Sequence, residues 1–336
     1  MKASRLASIS FSLLTVAICV ARAQQQSPQV RTSLTLGRPI QSGVVGVVPI
    51  LVRVPLSQEK YMTLAQATRE GLVEIVEIPG REQVNSLEVR NRANLPLLVF
   101  AGELLLGGKQ DRIVGKDTII PARESRQVPV FCVEHGRWQG AKMSFEAADT
   151  LVPDAVRSSA YGSQSQREVW DKVAMANAKA GTSTSTGTVQ ALLRDPKVAR
   201  EVESTTRALQ TAFSGVTNAT GVISWLNGKV HSADVFANPD LFAANRDKLL
   251  RSYALDAKLS TDPVLMAVNM KECAEFLDAI VQARRTQEEH GQYGALFRIK
   301  DGKVVGYESG RGGFGGGLGG GGVGGGYGHG SYKPGR

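Results

Sequence analysis

Leu72-Val-Glu-Ile-Val-Glu-Ile78, closed by Pro79 and Gly80, is the stretch on which the fold class turns. Val73, Ile75 and the pair Val76, Ile78 alternate with Glu74 and Glu77, the two-residue period of a strand with one face buried and one in water. The proline and glycine that follow cannot extend it. Working outward, Gly46 to Val54 reads as a strand, and Tyr61 to Glu70 as a helix with Leu64, Ala65 and Ala67 on its apolar side. Downstream, Val84 to Val89 and Leu95 to Phe100 flank the turn-prone Asn91 to Asn94, and Ile113 to Val133 continues with Thr118 to Ile120 and Val128 to Val133. The first half of the chain therefore assembles a sheet from short strands.

The texture changes from Gln164. Val169, Trp170, Val173 and Ala174 share one helical face, a Gly/Ser/Thr loop covers Ala180 to Thr188, and a helix runs from Val189 to Phe213 with a break near Pro196. Ile223 to Leu226 and Lys229 to Phe236 flank Asn227-Gly228, a two-residue hairpin signal. Asn238-Pro-Asp240 opens a helix carrying Leu241, Phe242, Leu249, Leu250 and Tyr253, and Met266 to Arg285 reads as another. A last hairpin pairs Tyr293 to Ile299 with Val304 to Tyr307 across Asp301 and Gly302. The expectation is an α+β fold: a mixed, mostly antiparallel sheet with packed helices, in a single elaborated domain from residue 24 to 308.

The two ends differ from this middle. Lys2 and Arg5 precede an apolar run from Ile9 to Val20 that closes on Ala21-Arg-Ala23, so residues 1–23 read as a cleavable signal peptide, and the protein as exported to a periplasm or the extracellular space. The apolar run is too short for a spanning helix, which needs about 20 apolar residues, so no membrane span is expected after cleavage. Residues 309–336 are mostly glycine, and the expectation there is a disordered tail of low complexity. The formal charge of +9 falls to +3 once Lys2, Arg5, Arg22, Arg311, Lys333 and Arg336 are set aside, and no basic stripe of the kind that neutralises phosphates along a nucleic acid is present. Cys132 and Cys273 are the two cysteines of the mature chain; they either pair in an oxidising compartment or stay buried as inert thiols.

Two clusters set polar groups at the ends of apolar strands, where loops carry function. The first is Ala101-Gly-Glu-Leu-Leu-Leu-Gly-Gly-Lys-Gln-Asp-Arg-Ile-Val114, the second Phe131-Cys-Val-Glu-His-Gly-Arg-Trp138. Glu103, Asp111 and Glu134 are the candidate catalytic residues, Glu103 or Glu134 as the base and Asp111 orienting an arginine. Lys109, Gln110, Arg112, Arg137 and Trp138 are the candidate ligand contacts, the cations gripping an anionic group and Trp138 stacking on a base or sugar. The competing reading is a sheet-edge turn with a solvated charge pair, or an internal salt-bridge network. No metal is expected, since His135 has no second His or Cys at ligand spacing. The sequence assigns no cofactor and no reaction: it has no Gly-x-Ser-x-Gly elbow, Walker loop or His-Glu-x-x-His. His231 and Asp234 read as ordinary hairpin residues.

The two clusters, with Gln166 to Trp170, the hairpin around Asn227-Gly228 and Ser252-Tyr-Ala254, resemble the ARPP-1 family over about Val30 to Tyr307. The resemblance implies an association with enzymes that process ADP-ribose and related nucleotides, without fixing a reaction. The leading expectation is an exported protein that binds, or binds and hydrolyses, a small phosphorylated or nucleotide-like ligand where the two clusters meet. The alternative is a non-catalytic secreted or envelope interaction protein.

Overall fold

The alternating stretch around Glu74 is a strand in the computed structural model, which describes residues 34–78, 85–136, 144–291, 294–310 and 327–335. In chain order the first half gives β1 (Leu34–Leu36), β2 (Ile40–Ser42), β3 (Val45–Val52) and β4 (Met62–Thr63), then α1 (Leu64–Arg69). There follow β5 (Val73–Glu77), β6 (Ser86–Asn91), β7 (Leu97–Val99), β8 (Glu103–Gly107), β9 (Arg112–Val114), β10 (Thr118–Ile120), β11 (Ser125–Cys132) and β12 (Ser144–Leu151). The second half brings α2 (Asp154–Gly162), α3 (Gln166–Ala180), α4 (Gln190–Arg194), α5 (Pro196–Phe213), β13 (Ala219–Leu226), β14 (Lys229–Phe236), α6 (Pro239–Lys258) and α7 (Met270–Gln282). It ends with β15 (Arg285–Gly291), β16 (Gly294–Asp301), β17 (Val304–Gly310) and β18 (Tyr327–Pro334). The fold is α+β with mostly antiparallel sheets. Among the described residues the one parallel pairing joins β4 to β7.

The half-buried strands close a barrel in the order β11-β6-β5-β12-β8-β9, with β9 returning to β11 through Cys132↔Arg112 and its neighbours. Ile75, Leu87, Val89, Leu105, Val128 and Val130 belong to its apolar filling, the inward halves of the alternations. Beside it lies the larger sheet, ordered β1-β3-β13-β14-β18-β17-β16-β15, with β2 also on β3. Its core takes Trp225, Phe236, Phe242, Leu249 and Phe276, drawn from its strands and from α6 and α7.

Local chemistry sets the joints. Asn227 and Gly228 both have positive φ, 51° and 79°, the turn geometry whose twist matches a tight hairpin between β13 and β14. Asp195 accepts from the N–H groups of Lys197 and Val198 and so caps α5, with Pro196 at its first position; the break near Pro196 is this cap. Asn238 caps α6 in the same way. Cys132 and Cys273 are buried free thiols.

The glycine-rich tail departs from expectation. Ser309 and Gly310 close β17, and Tyr327–Pro334 is β18, inserted between β14 and β17 with Asp234↔Ser331 and Tyr307↔Ser331 in register. The boundary at residue 309 and the disorder of the whole tail are therefore corrected for this segment. His329, Ser331 and Tyr332 lie in the interior, and their burial and ladder hydrogen bonds offset the ordering entropy that the composition alone argued could not be recovered. The expected signal peptide lies outside the described residues. No helix among them is long and apolar enough to cross a membrane.

Candidate functional site

The two sequence clusters meet at one end of the barrel. Gln110 donates from Nε2 to the Glu134 carbonyl at 2.8 Å, the Asp111 N–H reaches Glu134 Oε2 at 3.4 Å, and Val133 N–H donates to the Asp111 carbonyl at 3.1 Å. Arg112 turns back on its own loop, donating from Nη1 to the Gln110 carbonyl at 2.9 Å and to Gln110 Oε1 at 3.3 Å. Asp111 accepts from Gly107 N–H at 3.1 Å and from Gln190 of α4. Gln166 at the start of α3 extends the ladder of β11: its amide both accepts from Cys132 N–H and donates to the Cys132 carbonyl, each at 2.8 Å. Gln110, Asp111, Arg112 and Glu134 are thus brought together and buried, each hydrogen-bonded to a neighbour. Lys109 is exposed, with its N–H on Glu77. Arg137 and Trp138 lie outside the described residues.

Glu103 goes elsewhere. At the opposite end of β8 its carboxylate pairs with Lys248 of α6 and accepts from Phe100 N–H at 3.0 Å, with Lys248 Nζ also 4.8 Å from the Phe100 ring centre. Burial pushes the Glu103 carboxyl above its ordinary range, with Lys248 opposing.

Near Glu103 begins a chain of buried charges that the sequence reading missed. Asp117, on the link from β9 to β10, accepts from Ala101 N–H at 2.9 Å and from Ser309 Oγ at 2.9 Å, and lies 2.7 Å from His329 Nδ1. His329 Nε2 is 3.3 Å from Asp234 Oδ1. Asp234 takes a two-pronged pair from Arg157, both contacts 3.1 Å, and the Tyr253 hydroxyl at 2.5 Å. Arg157 also stands 3.7 Å from Asp154, which pairs with Lys333 and lies 3.3 Å from His231 Nε2. His231 in turn is 3.6 Å from Asp256. Gly102 makes room for this: it holds φ at +90°, and a Cβ there would stand 2.6 Å from Arg157 Cγ.

Burying so many ions costs several kcal/mol each unless partners are close and well aligned. The shifts follow from the partners. Burial alone would raise the Asp234 carboxyl, but Arg157 and His329 outweigh it and hold it below the usual carboxylate range. Burial opposes the charge on His329, yet Asp117 and Asp234 bring it up to about 9. His231, between Asp154 and Asp256, is raised against burial to about 10. Both imidazoles are therefore cations at neutral pH.

The chain surfaces in a groove along α2. One cavity, of about 290 Å³, is lined by Lys116, Arg298, Lys300 and Lys333 and by the ring pair Tyr161 and Tyr307, whose centres are 4.5 Å apart. None of its lining residues is acidic. The Tyr307 hydroxyl is buried and has no hydrogen-bond partner among the described residues. Two further cavities continue past Lys333, one toward Lys172 and Asp301, the other toward His231 and Asp256. Among the described residues no group of three or more His, Cys, Asp or Glu is arranged to hold a metal ion. The missed residues sat where composition hid them: Lys333 and His329 in the glycine-rich tail, and His231 and Asp234 in a hairpin whose burial on both faces is a tertiary fact.

An antiparallel barrel beside a larger sheet, with buried ions joining them and a basic groove at the surface, defines an α+β protein built around an internal charge network. The chain belongs to the ARPP-1 family, the ARG and Rhodanese-Phosphatase-superfamily-associated Protein domain, which matches residues 33–312. β18, which supplies His329 and Lys333, lies beyond that match. Neither the curated proteins nor the solved structures contain a match to the chain.

Proposed function

We propose that the protein binds a small phosphorylated ligand, its anionic group seated in the cavity between α2 and β16–β17 rather than at the barrel end where the two sequence clusters meet. The observation that carries the reading is a cavity whose charged lining is entirely cationic, with Tyr307, whose buried hydroxyl has no hydrogen-bond partner among the described residues, in its wall. A buried hydroxyl left without a partner costs about 1–3 kcal/mol. A phosphate oxygen there would accept its proton, while Arg298, Lys300, Lys116 and Lys333 supply charge-assisted donors. The Tyr161 and Tyr307 rings, in contact and tilted at 58° to one another, give the cavity an apolar face for the rest of the ligand. At the barrel end a structural role is the better reading, because Gln110, Asp111, Arg112 and Glu134 are turned on one another in a hydrogen-bonded network. Export by cleavage after Ala23 remains part of the proposal and is checked by sequencing the N-terminus of the secreted protein.

Calorimetric titration with inorganic phosphate tests the anion site. Tyr307→Phe is expected to weaken phosphate binding about fivefold, corresponding to about 1 kcal/mol, while leaving the melting temperature unchanged or raised, since an unsatisfied buried hydroxyl is removed. Arg298→Ala with Lys300→Ala is expected to abolish it. Phosphate affinity untouched by both would overturn the reading.

A further inference from the structure

We propose that the cleft floored by Asp256 and His231 is a hydroxyl-binding subsite of the same groove, so that the ligand is a phosphorylated sugar or polyol. The inference rests on the phosphate reading for one end of the ligand and adds the other end. The cleft has a volume of about 300 Å³ and includes Asp154, His231, Asp256, Lys172, Lys179 and Lys333 in its lining. A middle cavity joins it to the anion pocket, sharing Ser158, Lys300 and Lys333 with that pocket and Ala155, Lys172 and Lys333 with the cleft. Lys333 therefore stands at the centre of one continuous groove.

The two oxygens of Asp256 have different fates. Oδ1 accepts the Asp154 N–H at 2.9 Å and so fixes the first turn of α2. Oδ2 is buried and has no hydrogen bond of good geometry among the described residues; it pairs with His231 Nε2 at an ion-pair distance of 3.6 Å. His231 Nε2 likewise makes no aligned hydrogen bond, and its side chain is 27% exposed, so it forms part of the cleft wall.

Ligand chemistry follows by elimination. A second anionic group would face Asp154 and Asp256 together. An ammonium or guanidinium would meet Lys172, Lys179, Lys333 and the His231 cation. An alkyl group would leave Asp256 Oδ2 buried and unsatisfied. A hydroxyl donates to the carboxylate and accepts from a lysine at the same time, and is the group that uses both halves of the lining.

Titration of the full mature chain with inorganic phosphate and with ribose 5-phosphate separates the two proposals. Wild type is expected to bind the sugar phosphate at least tenfold more tightly than phosphate. Asp256→Asn keeps Oδ1 for the Asp154 N–H and replaces the Oδ2 acceptor with a donor, so it is expected to reduce ribose 5-phosphate to the level of phosphate without changing phosphate binding. Lys179→Met, on the exposed side of α3, is expected to weaken only the sugar phosphate, about threefold, and serves if Asp256→Asn fails to fold. Phosphate binding with no gain from the sugar overturns this inference and leaves the anion pocket standing. Binding of neither compound overturns both.

Discussion

The protein buries charge in two places, and they are built differently. At the barrel end, Gln110, Asp111, Arg112 and Glu134 lie within one short loop and its neighbour, and their partners are mainly backbone groups of these same two segments. Between barrel and sheet, Asp117, His329, Asp234, Arg157, Asp154, His231 and Asp256 come from five separate segments, and each ion is held mainly by the side chain of the next. The first arrangement locks a loop. The second ties α2, β14, α6 and β18 into one unit and leaves unsatisfied atoms where it meets a groove. The difference teaches that burial alone does not mark a site; an unfilled hydrogen-bonding capacity beside a cavity does.

The contrast breaks most visibly at Asp234. Asp234→Asn is nearly isosteric but strips the charge that faces Arg157 and His329, both wholly buried. Leaving a buried ion uncompensated costs about 3–5 kcal/mol. Urea denaturation is expected to show a loss of that size, with the slope of the transition unchanged. A loss below about 1 kcal/mol would mean that the chain of ions contributes no more than surface pairs do.

A pH series sharpens the same point. His329 is held at about 9 in the folded protein, above its ordinary 6.5, so its stabilisation is fully present below about pH 6.5 and is lost as pH rises through about 9. A displacement of that size corresponds to roughly 3 kcal/mol. His231, held at about 10 by Asp154 and Asp256, extends the same trend upward. Asp234 and Asp154 are depressed and act on the other limb: their contribution is present above the ordinary carboxylate range and is lost as pH falls. Stability measured by denaturation is expected to decline from pH 6.5 to 10, and His329→Gln to flatten that decline while lowering stability at pH 6.5. A wild-type curve already flat over this range would show that His329 is neutral.

Much of the architecture was legible because its signals are local. Asn227-Gly228 forces a hairpin, Asp195-Pro196 starts a helix, and the alternation from Val73 to Glu77 places one face of a strand inward. Barrel closure was not legible, since it rests on Arg112 meeting Cys132 across a pairing that no neighbouring residues encode. Nor was β18: in the sixteen residues 311–326 twelve are glycine, and that composition masks the alternation of His329, Ser331 and Lys333 that follows. Of the candidate residues, Gln110, Asp111, Arg112 and Glu134 were visible as a group because polar types at strand ends stand out. Tyr307, His231, Asp256 and Lys333 did not, because each looks ordinary in its own segment and becomes unusual only when another element covers it.

The smallest of these effects separates the two centres most cleanly. Gln110 is fully buried and does two things at once, donating to the Glu134 carbonyl and accepting from Arg112 Nη1. Gln110→Ala removes both partners and leaves a carbonyl without its donor, a change expected to cost about 2 kcal/mol. If the barrel end is a structural lock, that loss appears in denaturation while phosphate affinity at the α2 groove stays within twofold of wild type, since no residue of the lock lines the cavity. A large fall in phosphate affinity with stability intact would reverse the assignment, making the barrel end the ligand site and the groove the scaffold. The two measurements on this one variant therefore decide which of the two buried centres the protein uses.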